Sequence, residues 1–453
     1  MSDSEEMTHS SARSNSDEPK DKGNLVYYLF ILFGIGALLP WNAVLTAIDF
    51  FYQSFPGHDP GFVFALTLNG PNFIFNFVNI FIVKYVSLKV RLCISLICIF
   101  ALTWAMPLIA NFMGTSTGWP VILVVIVFLG VANSFAQGGI FGFSGMFPFK
   151  YIGAVMFGNG FSGLAMNIFR MITLAIFPPK ELAEGEEDNS AFIGCLIYFG
   201  IASLILIIVL IGFYIVIGTD FAKYYIKKAE GEQAQRALSI NAAARSAGSF
   251  GHTDALKEFS HIEEDYEKLD NDDPIPEKEK SFMEVYYEVG FMAIQVFLCF
   301  VISFVVFPGT HLSTHFDFLG DTAKDRAWFT VLMITTFNVF DTIGRFAGGF
   351  VQIFSPTTVF SLTIFRLIFI PTSVLIQLNS NPAWIFQSDW FRIFNMAAFA
   401  ISNGYNSTLL MIYGPSFTDN NNKERAGMIM SFHLVGGIFV GSLISSFGMK
   451  YVG

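Results

Sequence analysis

Charged residues are scarce in this sequence, and their scarcity is the first guide to its class. Only 14% of the 453 residues are charged, whereas 53% are hydrophobic. A soluble globular protein carries roughly 25% charged residues, and it could not bury so much apolar surface. The composition therefore excludes a soluble domain as the bulk of the chain and predicts a protein embedded in lipid.

Cysteine is also rare, with four residues in the whole chain. They stand at positions 93, 98, 195 and 299, all inside apolar runs and away from loops in which an oxidised pair would form. Cys93 and Cys98 are five residues apart and lack neighbouring metal ligands. We therefore expect neither a disulfide framework nor a metal site.

The amino terminus lacks the apolar core of a cleaved signal peptide. Residues 1–22 are polar and rich in serine and acidic side chains, which predicts a disordered cytoplasmic tail. Enzyme signatures are missing too: the sequence has no Walker loop, no dinucleotide fingerprint, no HExxH and no nucleophile elbow. We therefore expect neither an enzyme nor a bound cofactor, and no nucleic-acid partner.

Long apolar runs are what the chain does have. A bilayer core about 30 Å thick needs roughly 20 apolar residues per helix. Runs of that length cover residues 25–48, 61–83, 92–113, 119–147, 151–177, 191–218, 288–311, 327–353, 357–378, 390–413 and 426–449. The predicted fold class is an all-α integral membrane protein of about eleven transmembrane helices.

A charged segment at 219–281 separates six predicted helices from five. We expect a bundle at 23–218, a cytoplasmic loop at 219–281 and a second bundle at 282–453, a common transporter plan with the solute path between the bundles. Basic residues mark the cytoplasmic side of a membrane protein. They favour a cytoplasmic N-terminus, because the loops on that side hold Lys84, Lys89, Arg91, Lys150, Lys423 and Arg425, against Lys180, Lys324 and Arg326 on the other. An odd number of spans then puts the C-terminus opposite.

The eighth run contains ionisable side chains deep in a predicted span. Asn338, Asp341 and Arg345 are spaced i, i+3 and i+7, which places them on one helical face. Asp341 and Arg345 also have the i, i+4 spacing of an ion pair. Such groups cost roughly 2.5–3.5 kcal/mol at a bilayer centre and usually face a wet cavity or a partner. We favour a solute-contacting site, and a neutralised structural ion pair is the alternative.

Three further positions break the apolar pattern. Arg366 lies about nine residues into the ninth run, roughly 14 Å deep, which favours structural or gating use over solute contact. The amide of Gln137 offers a donor and an acceptor, as a base edge requires, although the small residues around it equally suit helix packing. Trp41 follows Pro40 in mid-span and could line a path there. In the tenth run we expect the polar stretch 402–408 to face the bundle interior.

Seven short segments together resemble the equilibrative nucleoside transporter family. In chain order they are LLPWNAVLTA, NSFAQGGIFG, FGNGFSGLA, FPG, FNVFDTIGRF, RLIFIP and SNGYNSTLLMIYGP. PWN in the first run together with FDxxGR in the eighth is the most specific combination. The resemblance implies a fold similar to the major facilitator plan, a central site between two bundles, and facilitated movement of purine and pyrimidine nucleosides, with nucleobases in some members.

The resemblance also assigns roles to single residues. By it, the positions for substrate contact are Leu38, Trp41, Gln137, Asn338, Asp341 and Arg345. Phe307 and Pro308 resemble positions that affect substrate or inhibitor preference, and with Arg366 they form the candidate gating or selectivity set. Gly139 stands where serine is familiar in mammalian members.

We therefore predict a nucleoside transporter, extending to nucleobases, that works by alternating access without an ion gradient. We expect a monomer in the plasma membrane, with an intracellular membrane as the alternative location. A proton-coupled symporter of the same fold is the first alternative, with Asp341 as its candidate proton site. A carrier of other small solutes such as sugars and a non-transporting receptor or membrane enzyme are the others.

Overall fold

All regular structure in the described part of the chain is helical. The computed structural model describes residues 19–83, 85–176, 190–229, 280–307, 317–320, 322–377 and 384–452. Its eleven longest helices are α1 Leu25–Thr46, α2 Pro60–Ile82, α3 Leu88–Phe112, α4 Thr115–Gly145, α5 Phe149–Ile176, α6 Ser190–Gly218, α7 Phe282–Val306, α8 Ala323–Phe350, α9 Val359–Gln377, α10 Asp389–Ser416 and α11 Lys423–Val452. The all-α prediction is confirmed there. Most of the predicted tail, most of the 219–281 loop and Pro308 lie outside the described residues.

Ten helices in the described ranges are long and apolar enough to cross a membrane. Among the eleven helices, α10 is the one outside this set. Its 28 residues are enough to cross a membrane, but its polar stretch, 402–408, lowers its hydropathy. Ten of the about eleven predicted spans are therefore supported by length and hydropathy, and an eleventh span at α10 stays a prediction.

The start of α7 differs from the sequence prediction. The helix begins at Phe282, six residues before the predicted start at 288, although Glu284 and Glu288 interrupt the apolar run. The reason is a capping box, in which the Ser281 hydroxyl accepts a hydrogen bond from the Glu284 N–H and the Glu284 carboxylate accepts one from the Ser281 N–H. Such a box satisfies backbone donors that a helix start leaves open, so the helix extends beyond its apolar part.

Glycines bring helix backbones into direct contact within each half of the molecule, α1–α6 and α7–α11. A Cβ atom added to Gly34 would lie 2.1 Å from the carbonyl oxygen of Val155, and one added to Gly158 would lie 2.0 Å from that of Ile31. Gly404 joins α10 to α8 in the same way. Small residues allow this approach in membrane helices, where van der Waals packing drives association.

The two halves meet where α2, α4 and α5 contact α8, α10 and α11. We call the end of the bundle at which α1 begins the near end, and the opposite end the far end. At the near end a Cβ added to Gly145 of α4 would lie 2.6 Å from the carbonyl oxygen of Lys423, and one added to Gly153 of α5 would lie 3.1 Å from Cα of Gly349. The halves are therefore closed against each other at the near end.

Candidate functional site

Asp341 and Arg345 form a buried ion pair on one face of α8. Arg345 Nε donates to Asp341 Oδ2 at 2.6 Å, and the two side chains are 6% and 5% exposed. The other carboxylate oxygen, Oδ1, accepts a hydrogen bond of 2.7 Å from Asn403 Nδ2 of α10. The i, i+4 spacing therefore gives the predicted pair, and a second helix completes the coordination of the acid.

The pair lies at the boundary between the halves. Arg345 Nη1 is 3.8 Å from the sulfur of Met156 on α5. Gly160 of α5 faces the same arginine, since an added Cβ there would lie 2.8 Å from Arg345 Cδ. One turn further along, Gly163 faces the side-chain amide of Asn338, which is half-buried. Arg345 and Asn338 thus contact α5, and Asp341 is joined to this boundary through its bond to Arg345.

Arg366 is enclosed inside the second half. The residue is fully buried, and α9 is locally a 3₁₀ helix from Arg366 to Ile368. Its Nη2 donates to Ser303 Oγ at 2.6 Å and to Asn403 Oδ1 at 3.1 Å, while its Nη1 donates to Ser402 Oγ at 2.9 Å. Through Asn403 this network reaches Asp341, so hydrogen bonds within the second half link Arg366 to the α8 pair.

The two candidate residues of α1, Leu38 and Trp41, are half-buried. The helix runs without interruption from Leu25 to Thr46 despite Pro40. Next to Trp41, Asn42 Nδ2 donates to Ser162 Oγ of α5 at 2.8 Å.

Gln137 of α4 is only 1% exposed, yet its side chain has no hydrogen-bonding partner among the described residues. Its amide atoms are nevertheless not fully enclosed. Both a donor and an acceptor are therefore left for another molecule to bind. The structure brings Gln137 near α2 through its neighbour Gly138, whose added Cβ would lie 2.6 Å from Asn79 Nδ2.

Phe307 lies at the end of α7 and is half-buried. Its ring stacks on Phe337 of α8 with centroids 4.3 Å apart and an interplanar angle of 6°. Phe337 in turn contacts Phe399 of α10. This aromatic row lies toward the far end of the second half, and Phe337 directly precedes Asn338 in the chain.

Sequence reasoning missed an ion pair at the near end. Arg91 of α3 was expected in a loop, but it is buried, and its Nη2 donates to Glu424 Oε1 of α11 at 2.8 Å. Its Nη1 donates to Asn79 Oδ1 of α2 at 2.7 Å. The partners are more than 300 residues apart in sequence, and no local spacing indicates such a pairing.

A second ion cluster joins the end of the charged loop to the second half. Lys280 Nζ donates to Asp419 Oδ2 at 2.6 Å and also to the carboxylate of Glu288. Arg425 donates to the Lys280 carbonyl at 2.8 Å. Burial alone would lower the pKa of Lys280, but the hydrogen bonds and charges of the two acids outweigh it and raise this pKa above its ordinary value.

Comparison with known proteins agrees with this architecture. Residues 123–449 match the family model described as nucleoside transporter. The human equilibrative nucleoside transporters 1 and 2 are each 25% identical to the chain, over 95% of it and 98% of their own lengths. Equilibrative nucleotide transporter 1 of Arabidopsis thaliana is 22% identical, over 96% of this chain and 88% of its own.

Solved structures of major facilitator transporters share the fold. The proton:xylose symporter XylE superposes with a TM-score of 0.61 at 12% identity, over 95% of this chain and 90% of the symporter. The E. coli fucose:proton symporter FucP gives 0.54 at 13% identity, over 94% and 96%. At such identities the likeness shows the fold alone, and it confirms the major-facilitator-like arrangement expected from the sequence. With more than half of its length matched by the family model, the chain belongs to the nucleoside transporter family.

Proposed function

We propose that this multi-pass membrane nucleoside transporter moves its substrate by alternating access to one site between its halves, without coupling to an ion gradient. The observation that carries this proposal is the position of the Asp341–Arg345 pair. The pair is buried in a membrane helix and lies where α8 of the second half meets α5 of the first. A site at such a boundary becomes accessible when the halves tilt apart.

The proposed topology has eleven spans, with α10 as the span of lower hydropathy. Its polar residues are buried against other helices: Asn403, Asn406 and Ser407 are at most 2% exposed. A helix whose polar face is covered by protein can cross a bilayer without exposing that face to lipid. The basic loops then make the near end cytoplasmic and the far end external.

The state described is closed on the proposed cytoplasmic side. Glu424 of the second half is bonded to Arg91 of the first, and the glycine contacts of α4 and α5 lie at the same end. Release of substrate to the cytoplasm therefore requires the Arg91–Glu424 pair to break.

In the proposed complex, hydroxyl oxygens of the ribose exchange hydrogen bonds with Asp341 and Arg345. A charged pair that accepts and donates in fixed directions suits a ring of hydroxyls. Asn338 adds a neutral amide one turn away on α8, while Leu38 and Trp41 supply apolar wall for the flat base. Phe307 belongs to the far-end aromatic row and is the proposed selectivity position, with Pro308 next to it in sequence.

Reconstituted vesicles test this function directly. We expect flux of tracer adenosine and uridine, extending to the nucleobase hypoxanthine, that stops at equal concentrations inside and outside. Arg345→Ala should reduce the flux at least about 100-fold, because it leaves Asp341 as a buried acid without its cation. Arg326→Ala, at the exposed far end of the same helix, is the matched control and should transport normally.

Three results would contradict the proposal. Accumulation that a protonophore abolishes would indicate the proton-coupled alternative. Ligand binding without any flux would indicate a receptor. Normal flux in Arg345→Ala, at unchanged protein level, would show that the α8 pair is not the substrate site.

We expect the native protein in the plasma membrane as a monomer.

A further inference from the structure

A small cavity lies at the near end of the molecule, at the boundary between its two halves. Its volume is about 180 Å³, and its wall includes Phe147, Pro148, Tyr225, Lys228, Asn420 and Lys423. The first four residues follow helices of the first half, whereas the last two lie where α11 of the second half begins. Both halves therefore form the cavity, and its walls part when the halves tilt away from each other.

A short helix after α6 supplies one wall of this cavity. It covers residues 220–229, and we call it the α6 extension. Its rings Phe221 and Tyr225 both pack on Phe147, with centroids 6.0 and 5.3 Å apart. Lys228 follows Tyr225 by three residues and lies on the same helical face. Aromatic packing thus fixes the helix to the first half and directs Lys228 to the cavity.

The wall of the cavity is positively charged. The described residues that line it include Lys228 and Lys423 and no acid. Lys423 is half-buried, and its Nζ donates to Asn420 Oδ1 at 2.7 Å. The acids nearest to it in sequence bind other cations, since Asp419 belongs to the cluster around Lys280 and Glu424 to the near-end ion pair. The two lysines come from different halves, so their repulsion opposes closure and an anion between them favours it.

Charge and size together indicate the kind of ligand. Lysine ammonium groups donate strong hydrogen bonds to phosphate oxygens. A cavity of about 150 Å³ holds a benzene ring, so this one has room for a phosphate group or a single ring. Lys150, Lys223 and Lys227 are exposed nearby in sequence and add to the positive field that attracts anions. Basic pockets between helices on the cytoplasmic side typically bind the headgroups of anionic lipids.

We infer that the near-end cavity binds a phosphate-bearing anion, which holds the halves together and inhibits opening. A lipid headgroup of the adjoining leaflet and a soluble phosphate compound share this chemistry. A ligand that binds only the closed state shifts the population toward that state. The inhibitory effect rests on the proposed function, in which the near end opens to release substrate, whereas binding itself requires no transport.

Calorimetric titration of the purified protein in detergent tests the binding site. The probes are short-chain phosphatidylinositol bisphosphate and its soluble headgroup, inositol trisphosphate. We expect saturable binding, which Lys228→Gln and Lys423→Gln should each weaken about fivefold and the double variant about 25-fold. Tighter binding of the lipid identifies a headgroup as the source, and equal binding identifies a soluble compound. Absence of saturable binding of both probes would overturn the inference.

Lys223→Gln is the matched control. It removes the same charge from the α6 extension, but Lys223 does not line the cavity and pairs with Asp220 at 3.9 Å. Its Kd should stay within about twofold of the wild-type value, because field strength alone changes little with one exposed charge. Equal losses in Lys223→Gln and Lys228→Gln would indicate general attraction to a basic surface and would overturn the inference.

Flux measurements test the inhibition. A probe that binds only the closed state makes the open near end about tenfold rarer at ten times its Kd. With the probe on both sides of reconstituted vesicles, we therefore expect adenosine flux to fall at least about threefold in the wild type. The ratio of flux with and without probe should return to about one in the Lys228→Gln/Lys423→Gln variant. An unchanged wild-type flux despite binding would overturn the inhibition. Absence of flux without probe would contradict the proposed function, and the titration would still decide the site.

Discussion

Replacing Glu424 with glutamine removes one charge from the near-end ion pair and keeps the shape of the side chain. The change leaves Arg91, whose side chain is 2% exposed, as a buried cation, whereas the Glu424 side chain is 21% exposed and partly hydrated. Breaking a fully buried pair costs about 3–5 kcal/mol. Partial hydration of Glu424 and the remaining bond from Arg91 to Asn79 reduce this to about 2 kcal/mol, or about 30-fold in the equilibrium between closed and open near ends.

A distance measurement between the halves checks this value. Lys150 and Ser416 are exposed at the near end in opposite halves, so spin labels at these positions report its opening. In a background with the four native cysteines replaced by alanine and flux verified, Glu424→Gln should move population from the short distance to a longer one. Adding Arg91→Leu should restore part of the short distance, because removing both charges leaves no unpaired cation. An unchanged distance distribution in Glu424→Gln would refute the reasoning.

Two further predictions concern stability. Gly158→Val should destabilise the fold by about 3 kcal/mol or more, because the added Cβ would meet backbone of α1 that has no room to move. Gly200→Ala is the control: no atom lies within 4 Å of its added Cβ, so it should be neutral or slightly stabilising. Thermal unfolding in detergent compares the two variants. Lys280→Met should lower stability by up to about 1 kcal/mol at neutral pH. Since Asp419 and Glu288 raise the pKa of Lys280, its contribution is complete below the unfolded-state pKa of about 10.4 and disappears as pH rises through the higher folded-state pKa. A difference between wild type and Lys280→Met that persists above that pH would contradict this assignment.

Helix positions could be predicted from apolar runs because a bilayer sets both the length and the composition of a span. The runs located the helices to within several residues, and local chemistry decided the rest. A capping box moved the start of α7, and the buried pairing of Arg91 moved the start of α3 to Leu88, four residues before the prediction. These shifts depend on single side-chain contacts that hydropathy does not register.

The sequence predicted only those contacts of the candidate site that lie within a single helix. The Asp341–Arg345 pair follows from i, i+4 spacing within one helix, and it is present. The bond from Asn403 to Asp341 joins α10 to α8, and nothing in either segment specifies it. The tenth-run prediction is confirmed by burial of Asn403 and Asn406. Four buried asparagines of α2, at positions 69, 72, 76 and 79, were not predicted, because the length of an apolar run does not show which helix face is covered by protein.

The glycines of α5 have a mechanical consequence. Gly153, Gly160 and Gly163 all face α8, so α5 approaches α8 closely at these positions. Side chains of α5 also bind α8: Asn167 Nδ2 donates to Thr335 Oγ1 at 2.8 Å, and the ring of Phe157 packs on that of Phe346. On its other side α5 is fixed to α1 by Gly158. Any tilt of α5 and α1 against α8 therefore has to break the Asn167–Thr335 hydrogen bond and displace the Phe157–Phe346 contact, while the glycine positions allow the two backbones to slide.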